Sequence, residues 1–150
     1  MQQLSFMLPE IDRTETKKVV EKALESYKVY LLMDPEELQP KVTSSLKLVP
    51  AAPSNQFHST TEEVAVKKID MERKRKEYIN RIRKAVNRLN YYERSIVLKR
   101  YLNSDDVYDY EVYNELGFSE RKYYRVKSRA FYKLAFILRI EVYKEDGENK

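Results

Sequence analysis

The sequence predicts an all-α protein, and three observations support this fold class. Apolar residues recur every three or four positions over long stretches, as they do in amphipathic helices. Helix-capping residues precede several of these stretches. Prolines, which interrupt helices, are confined to residues 34–58 apart from Pro9. We expect an N-terminal helix, a long central helix and a C-terminal helix-turn-helix bundle.

The first predicted helix covers residues 14–33 and ends at Asp34, because a residue that precedes proline avoids the helical conformation. Its apolar positions lie on one face: Val20, Leu24, Tyr27 and Leu31. Residues 34–58 are rich in proline and serine and are predicted to form a linker, with a short strand at 42–49 as an alternative. We therefore divide the chain into an N-terminal helical arm (1–33), this linker, and a helical domain (59–150).

A long central helix is predicted from about residue 61 to 89. The preceding sequence Ser59-Thr60-Thr61-Glu62 matches a capping box, in which hydroxyl and carboxylate satisfy each other's backbone amides. The apolar positions are Val64, Ala65, Ile69, Tyr78, Ile82, Val86 and Leu89. The basic run 73–76 within this helix fits a contact with phosphates and a solvated helix face equally well.

Residues 108–138 have the layout of a helix-turn-helix. Short helices are predicted at 92–102 and 108–116, the latter with Asp109 as its N-cap. Gly117 supplies a left-handed residue at the turn, and Ser119 caps a last helix that extends to about residue 140. Leu116 and Phe118 are expected to pack inside the corner.

The composition excludes several classes of protein. The 150 residues contain no Cys, one His and two Gly, so thiolate catalysis, disulfides, Cys-based zinc sites and a Gly-rich phosphate loop are excluded. His58 has no second His to share a metal and is assigned a structural role. We expect neither an enzyme nor a bound cofactor or metal. There is no membrane segment or secretory signal, and a cytoplasmic location follows as an expectation.

The charge distribution indicates a polyanionic partner. The net charge is +5, but residues 67–102 carry 13 basic and four acidic groups, and residues 119–140 carry seven and one. Residues 103–118 lie between them with five acidic groups and no basic ones. Such asymmetry is typical of nucleic-acid binding, although a pair of solvated helix faces produces it too.

A helical wheel of the last helix separates an apolar stripe from a basic face. The predicted buried stripe is Tyr123, Val126, Ala130, Leu134 and Ile137. The predicted DNA-binding residues are Ser119, Arg121, Lys122, Tyr124, Arg125, Ser128, Arg129 and Tyr132. Arginine reads guanine edges in the major groove, whereas Tyr, Ser and Lys hold phosphates. The alternative is an ordinary helical hairpin with a basic outer face.

The preceding short helix has a different character. Its tyrosines, Tyr108, Tyr110 and Tyr113, are expected to form its packing face. Asp105, Asp106 and Asp109 are interpreted as solvated or capping carboxylates rather than as a catalytic pair. Because this helix is acidic, we expect it to point away from DNA or toward a basic partner.

Two family resemblances are carried by these segments. The sequences Leu89-Asn90-x-x-Glu93-Arg94 and Glu115-Leu116-Gly117-Phe118-Ser119 resemble region 4 of bacterial sigma factors, in which the last two helices form the DNA-reading helix-turn-helix. Tyr123-Tyr124 departs from that pattern, so recognition of a minus-35 promoter element is not carried over. Over nearly the whole chain, Ser54–Glu62, Asn87-Arg88-Leu89, Tyr108–Gly117 and Phe131–Ala135 resemble the ArpU family of phage-encoded regulators.

The ArpU resemblance implies control of late phage operons for packaging and lysis. The first hypothesis is therefore a sequence-specific DNA-binding activator that binds double-stranded DNA at a late promoter. An RNA polymerase-binding module and a small-terminase-like packaging component are the alternatives. A homodimer is a further hypothesis, because two half-sites raise affinity and specificity together.

Overall fold

The computed structural model describes residues 9–33 and 61–145, and within them it contains five helices. These are α1 (Arg13–Leu32), α2 (Thr61–Asn87), α3 (Tyr91–Arg100), α4 (Asp109–Leu116) and α5 (Glu120–Leu138). The predicted all-α class is confirmed, and each predicted helix is present with ends that differ from the prediction by at most two residues. The predicted linker, the capping box at Ser59 and His58 lie outside the described residues.

Short polar side chains fix where the helices begin. The carboxylate of Asp12 accepts a hydrogen bond from the backbone N–H of Glu15 (3.1 Å) and starts α1. Asn90 does the same for α3 through the N–H of Glu93 (2.9 Å). Ser119 caps α5 by accepting from the N–H of Lys122 (3.2 Å), as the sequence predicts.

The main hydrophobic core joins α1, the second half of α2, α3 and α5. It contains Val20 and Leu24 of α1, Ile82 and Val86 of α2, and Leu134 of α5, all at most 2% exposed. The predicted arm and the predicted helical domain therefore share one core. Burial of large aliphatic side chains contributes about 1.5–3 kcal/mol each, so this cluster is the principal source of stability.

The ends of the described region close this core. After α5 the chain runs back along the start of α1, where the backbone N–H of Asp12 donates to the carbonyl of Val142 (2.8 Å). The hydroxyl of Thr16 both donates to that carbonyl (3.2 Å) and accepts from the Val142 N–H (3.0 Å). Residues 140–144 thereby hold the first turn of α1 against the end of α5.

The first half of α2 has a different environment. Every residue from 62 to 74 is exposed, including Val64, Val66 and Ile69 (50–58% exposed). The basic run 73–76 is not uniformly solvated, because Arg75 is only 8% exposed. The interpretation of this run as one exposed basic face is wrong at Arg75, since that position lies on the stripe that continues into the core. None of the five helices is long and apolar enough to span a membrane.

Candidate nucleic-acid interface

A tight turn joins α4 to α5 and forms a corner between the two helices. Gly117 ends α4 with φ 68° and ψ 26°, the left-handed conformation that glycine adopts at little cost. The Phe118 N–H donates to the carbonyl of Tyr113 (2.9 Å), which closes the turn, and Ser119 starts α5. The predictions of a left-handed residue at Gly117 and of a helix cap at Ser119 are confirmed.

A second, smaller cluster packs behind this corner. Ile96 of α3, Val112 of α4 and Tyr123 of α5 are fully buried in it, and Leu116 and Phe118 pack against them. The expected inward packing of Leu116 and Phe118 is thus confirmed. Three helices meet in this cluster, so α3 supports the pair that forms the corner.

Asp109 does not have the role that the sequence suggested. Tyr108 occupies the N-cap position of α4, and its backbone N–H donates to the carboxylate of Glu111 (2.9 Å). Asp109 is the first helical residue, and its Oδ1 accepts from the Tyr123 hydroxyl (2.5 Å), the Lys127 ammonium (3.0 Å) and Arg100 Nε (3.2 Å). The prediction of a capping or solvated carboxylate is wrong here, because donors on α3 and α5 converge on this side of α4.

These contacts change the ionisation of the groups involved. Burial alone would raise the pKa of Asp109, but the hydrogen bonds from Tyr123 and Lys127, and the charges of Lys127 and Arg100, lower it below its ordinary value. Burial and the bond to Asp109 raise the pKa of the Tyr123 hydroxyl. Asp109 is therefore ionised, and Tyr123 is a neutral donor, at physiological pH.

Lys127 is a buried cation in an aromatic surround. It is 5% exposed, and its Nζ lies 5.2 Å from the ring centroid of Tyr101 and 5.5 Å from that of Phe131. Burial lowers the pKa of Lys127, while the carboxylate of Asp109 opposes that shift. Aromatic faces and one carboxylate together compensate the loss of hydration.

The predicted buried stripe of α5 is displaced around the helix. Tyr123, Ala130 and Leu134 are buried as predicted, whereas Val126 and Ile137 are only partly buried. The buried arc also includes residues that the wheel omitted: Lys127, Phe131, Ala135 and Leu138. The displacement arises because α5 packs against the α1–α2 core and the α3–α4 pair on adjoining sides, which a single stripe does not represent.

The opposite side of α5 is open and basic. All eight residues that the sequence selected are exposed: Ser119, Arg121, Lys122, Tyr124, Arg125, Ser128, Arg129 and Tyr132. Arg121, Arg125, Ser128 and Tyr132 follow helical spacing and share the centre of this face. Tyr124 lies at its edge, 39% exposed and with its ring 5.8 Å from Nζ of Lys127. We call this surface the basic face.

One cation beside the basic face was missed by the sequence analysis. Lys133 lies one turn beyond Arg129, and its half-exposed ammonium donates to Oε1 of Glu93 (2.7 Å), which is 1% exposed. The spacing of four and eight residues from Arg129 and Arg125 was the available signal. Glu93 also accepts from the Asn90 side chain (2.7 Å), so α3 and α5 are joined at the back of the basic face.

Lys122 joins the same face to the start of α3. Its Nζ lies 4.3 Å from the ring centroid of Phe118 and 5.8 Å from that of Tyr92. The two rings are themselves 5.3 Å apart. A cation with one exposed ring, Tyr92, and one partly buried ring, Phe118, therefore borders the first turn of α5.

Comparison with known proteins indicates the origin of the chain. It is 36% identical, over 93% of its length and 97% of the relative, to an uncharacterised phage-related protein of Listeria innocua. The chain belongs to this family of phage proteins. It is also 28% identical to Protein Gp66 of Listeria phage A118, over 91% of the chain and 96% of that protein. No protein-family model and no solved structure matches the chain.

The outward side of α4 completes the surroundings of the corner in this phage protein. Tyr108 and Tyr110 are 63% and 53% exposed, with nearly parallel rings 5.8 Å apart. The expectation that both form the packing face is wrong, because Val112, Tyr113 and Leu116 occupy that face. The exposed side of α4 is thus aromatic and acidic, with Glu111 at its centre.

Proposed function

We propose that this phage protein is a sequence-specific, DNA-binding transcriptional activator of late packaging and lysis genes. The observation that carries the proposal is the open basic face of α5, which begins directly after the Gly117 turn. A second helix so placed inserts its first turns into the major groove of double-stranded DNA. The resemblances to sigma region 4 and to the ArpU family agree with this reading.

The side chains of the basic face divide into two kinds of contact. Arg121 and Arg125 lie one turn apart in the first half of α5, where a recognition helix meets base edges, and each is suited to the O6 and N7 atoms of a guanine. Ser119, Lys122, Tyr124, Ser128, Arg129 and Tyr132 are suited to phosphate oxygens. Specificity then comes from the two arginines, and most of the salt-dependent affinity from the others.

The contacts on the buried side of α5 support DNA binding by its basic face. A helix that reads bases must keep its orientation, and α5 is held by the buried Tyr123 and by the contacts of Lys127 and Lys133 with α4 and α3. These contacts leave the side chains of the basic face exposed to a ligand.

Footprinting on the region upstream of the phage packaging and lysis genes tests the proposal. The intact protein is expected to protect one defined site and to lose affinity steeply between two salt concentrations. Arg121→Ala/Arg125→Ala is expected to abolish the defined footprint while leaving weak, salt-sensitive binding. Lys122→Ala or Arg129→Ala is expected to lower the salt slope by about 1 without changing the protected sequence.

A matched control removes two exposed cations from a different helix. Lys17→Ala/Lys22→Ala on α1 changes the net charge by the same amount as the arginine pair. It is expected to preserve the footprint. Loss of the footprint in both double variants would show that net charge, rather than the basic face, determines binding, and would refute the proposal.

The outward side of α4 favours a second candidate, a contact with host RNA polymerase. Tyr108, Tyr110 and Glu111 present aromatic and acidic groups to a basic partner, and the carboxylates of α4 would repel DNA. A polymerase pull-down that survives Arg121→Ala/Arg125→Ala but not Tyr108→Ala/Tyr110→Ala would support this contact. If both variants bind polymerase as the intact protein does, the candidate is excluded.

A further inference from the structure

The first half of α2 carries an apolar strip that the bundle leaves exposed. Ala65, Val66 and Ile69 are exposed and fall on one side of the helix, and Val66 and Ile69 are each 58% exposed. The side of α2 that packs in the core passes through Arg75, Ile79 and Ile82. At 3.6 residues per turn, the strip at Ile69 points away from that side.

Charged residues flank the apolar strip, and the signs of their charges differ between its two ends. The positions that share its side, three or four residues apart, are Glu62, Ala65, Val66, Ile69, Glu72, Arg73 and Lys76. The strip therefore has Glu62 at its N-terminal end and two basic residues, Arg73 and Lys76, at its C-terminal end, and a second acidic residue, Glu72, lies between Ile69 and these cations. We call this set of seven residues the α2 strip.

The charge order selects one self-pairing. In an antiparallel pair centred on Ile69, Glu62 of one copy faces Lys76 of the other, and Arg73 lies next to it. The aliphatic part of Arg73 covers Ala65 of the other copy. A parallel pair would instead place Glu62 against Glu62 and Lys76 against Lys76, which is unfavourable for like charges.

We propose that the α2 strip is a homodimer interface in which two copies pair antiparallel about Ile69. Apolar contact between the two Ile69 side chains stabilises the centre, Val66 of each copy faces Glu72 of the other, and Glu62–Lys76 pairs at both ends fix the direction. The pairing places the two bundles at opposite ends of the interface, because each bundle begins after Arg75. This inference does not depend on DNA binding, so its failure and that of the proposed function are distinguishable.

Sedimentation equilibrium of the full chain without DNA is the direct test. The wild-type chain is expected to be dimeric, and Ile69→Asp is expected to weaken association at least tenfold by placing two like charges together at the centre. Met71→Asp is the matched control, because Met71 is 64% exposed on the same segment but lies off the α2 strip. It is expected to leave the dimer intact.

Charge reversal tests the direction of the pair. Glu62→Lys and Lys76→Glu are each expected to weaken self-association by about tenfold, through two unfavourable pairs per dimer. An equimolar mixture of the two variants, and the double variant Glu62→Lys/Lys76→Glu, are both expected to restore it. Failure of the mixture to associate would overturn the antiparallel arrangement.

Two other results would overturn the proposal. One is a wild-type chain that stays monomeric up to about 1 mM, the range of very weak complexes. The other is equal weakening by Ile69→Asp and Met71→Asp, which would place the contact elsewhere on α2. A monomer whose thermal stability falls in Ile69→Asp would instead show that the chain covers this strip itself.

Discussion

Removal of the Asp109 carboxylate is expected to destabilise the fold by leaving a buried cation without its counter-charge. In Asp109→Ala, Lys127 stays 5% exposed while its only described ion-pair partner is lost. Breaking a buried pair in this way costs about 3–5 kcal/mol. The Asp109 side chain is 24% exposed, so water partly compensates and the low end, about 3 kcal/mol, is expected.

Removal of the cation is expected to destabilise the fold less than removal of the carboxylate. Lys127→Met replaces the cation by an apolar chain among the rings of Tyr101 and Phe131, and Asp109 keeps its bonds with Tyr123 and Arg100. We expect a loss of about 1 kcal/mol. The double variant is expected to lose about 2 kcal/mol, which gives a coupling energy of about 2 kcal/mol between the two residues.

Urea unfolding followed by far-UV circular dichroism measures these differences. Asp106→Ala is the control, because its carboxylate is fully exposed and lies 3.5 Å from Nζ of Lys28. No measurable change is expected there. A loss below about 1 kcal/mol in Asp109→Ala, or additive effects of the two substitutions, would refute the reasoning that a buried charge pair orients α4 on α5.

The remaining predictions concern the Gly117 turn, the Ser119 cap and the stability of the fold at low pH. Gly117→Ala is expected to lose about 1 kcal/mol in urea unfolding, from backbone strain alone, because no atom lies within 4 Å of an added Cβ at φ +68°. Ser119→Ala is expected to lose about 1 kcal/mol in the same assay, because the Lys122 N–H loses its acceptor, whereas Ser119→Asp is expected to retain stability. The lowered pKa of Asp109 contributes to the free energy of unfolding; this contribution is complete above the unfolded pKa of about 4 and is lost as the pH falls through the folded pKa. Asp109→Asn has no such carboxylate, so unfolding curves recorded at several pH values are expected to lack this part of the acid-induced loss of stability.

Local sequence rules were sufficient to predict the positions of the helices and of the turn at Gly117. Helical spacing located all five helices, and Gly117 and Ser119 marked the corner, because these features depend on backbone geometry within a few residues. The selection of Arg121 and Arg125 as exposed side chains was correct for the same reason. Charged residues opposite the apolar stripe of an amphipathic helix face water, and these two arginines lie there.

Contacts between helices could not be predicted from those local rules. Lys127 was not selected as buried, because a cation enters a core only where partners from other helices surround it. Asp109 looked like an N-cap because capping is its usual role at a helix start. Its real partners, Arg100 and Tyr123, are brought to it by the packing of Ile96 and Val112, which single-helix patterns do not encode.

The polar contact between α4 and α5 fixes the relative rotation of the two helices, which an apolar contact would not do. Hydrophobic contact is non-directional, so α4 and α5 packed through Val112 and Leu116 alone would tolerate small rotations. Asp109 accepts bonds from α3 and α5 in fixed directions, and each depends on the rotation of its helix. The proposed bidentate reading of a guanine by Arg121 or Arg125 would require such fixed orientation. The buried charge at Lys127 is therefore best explained as the cost of orienting the helix that carries the basic face.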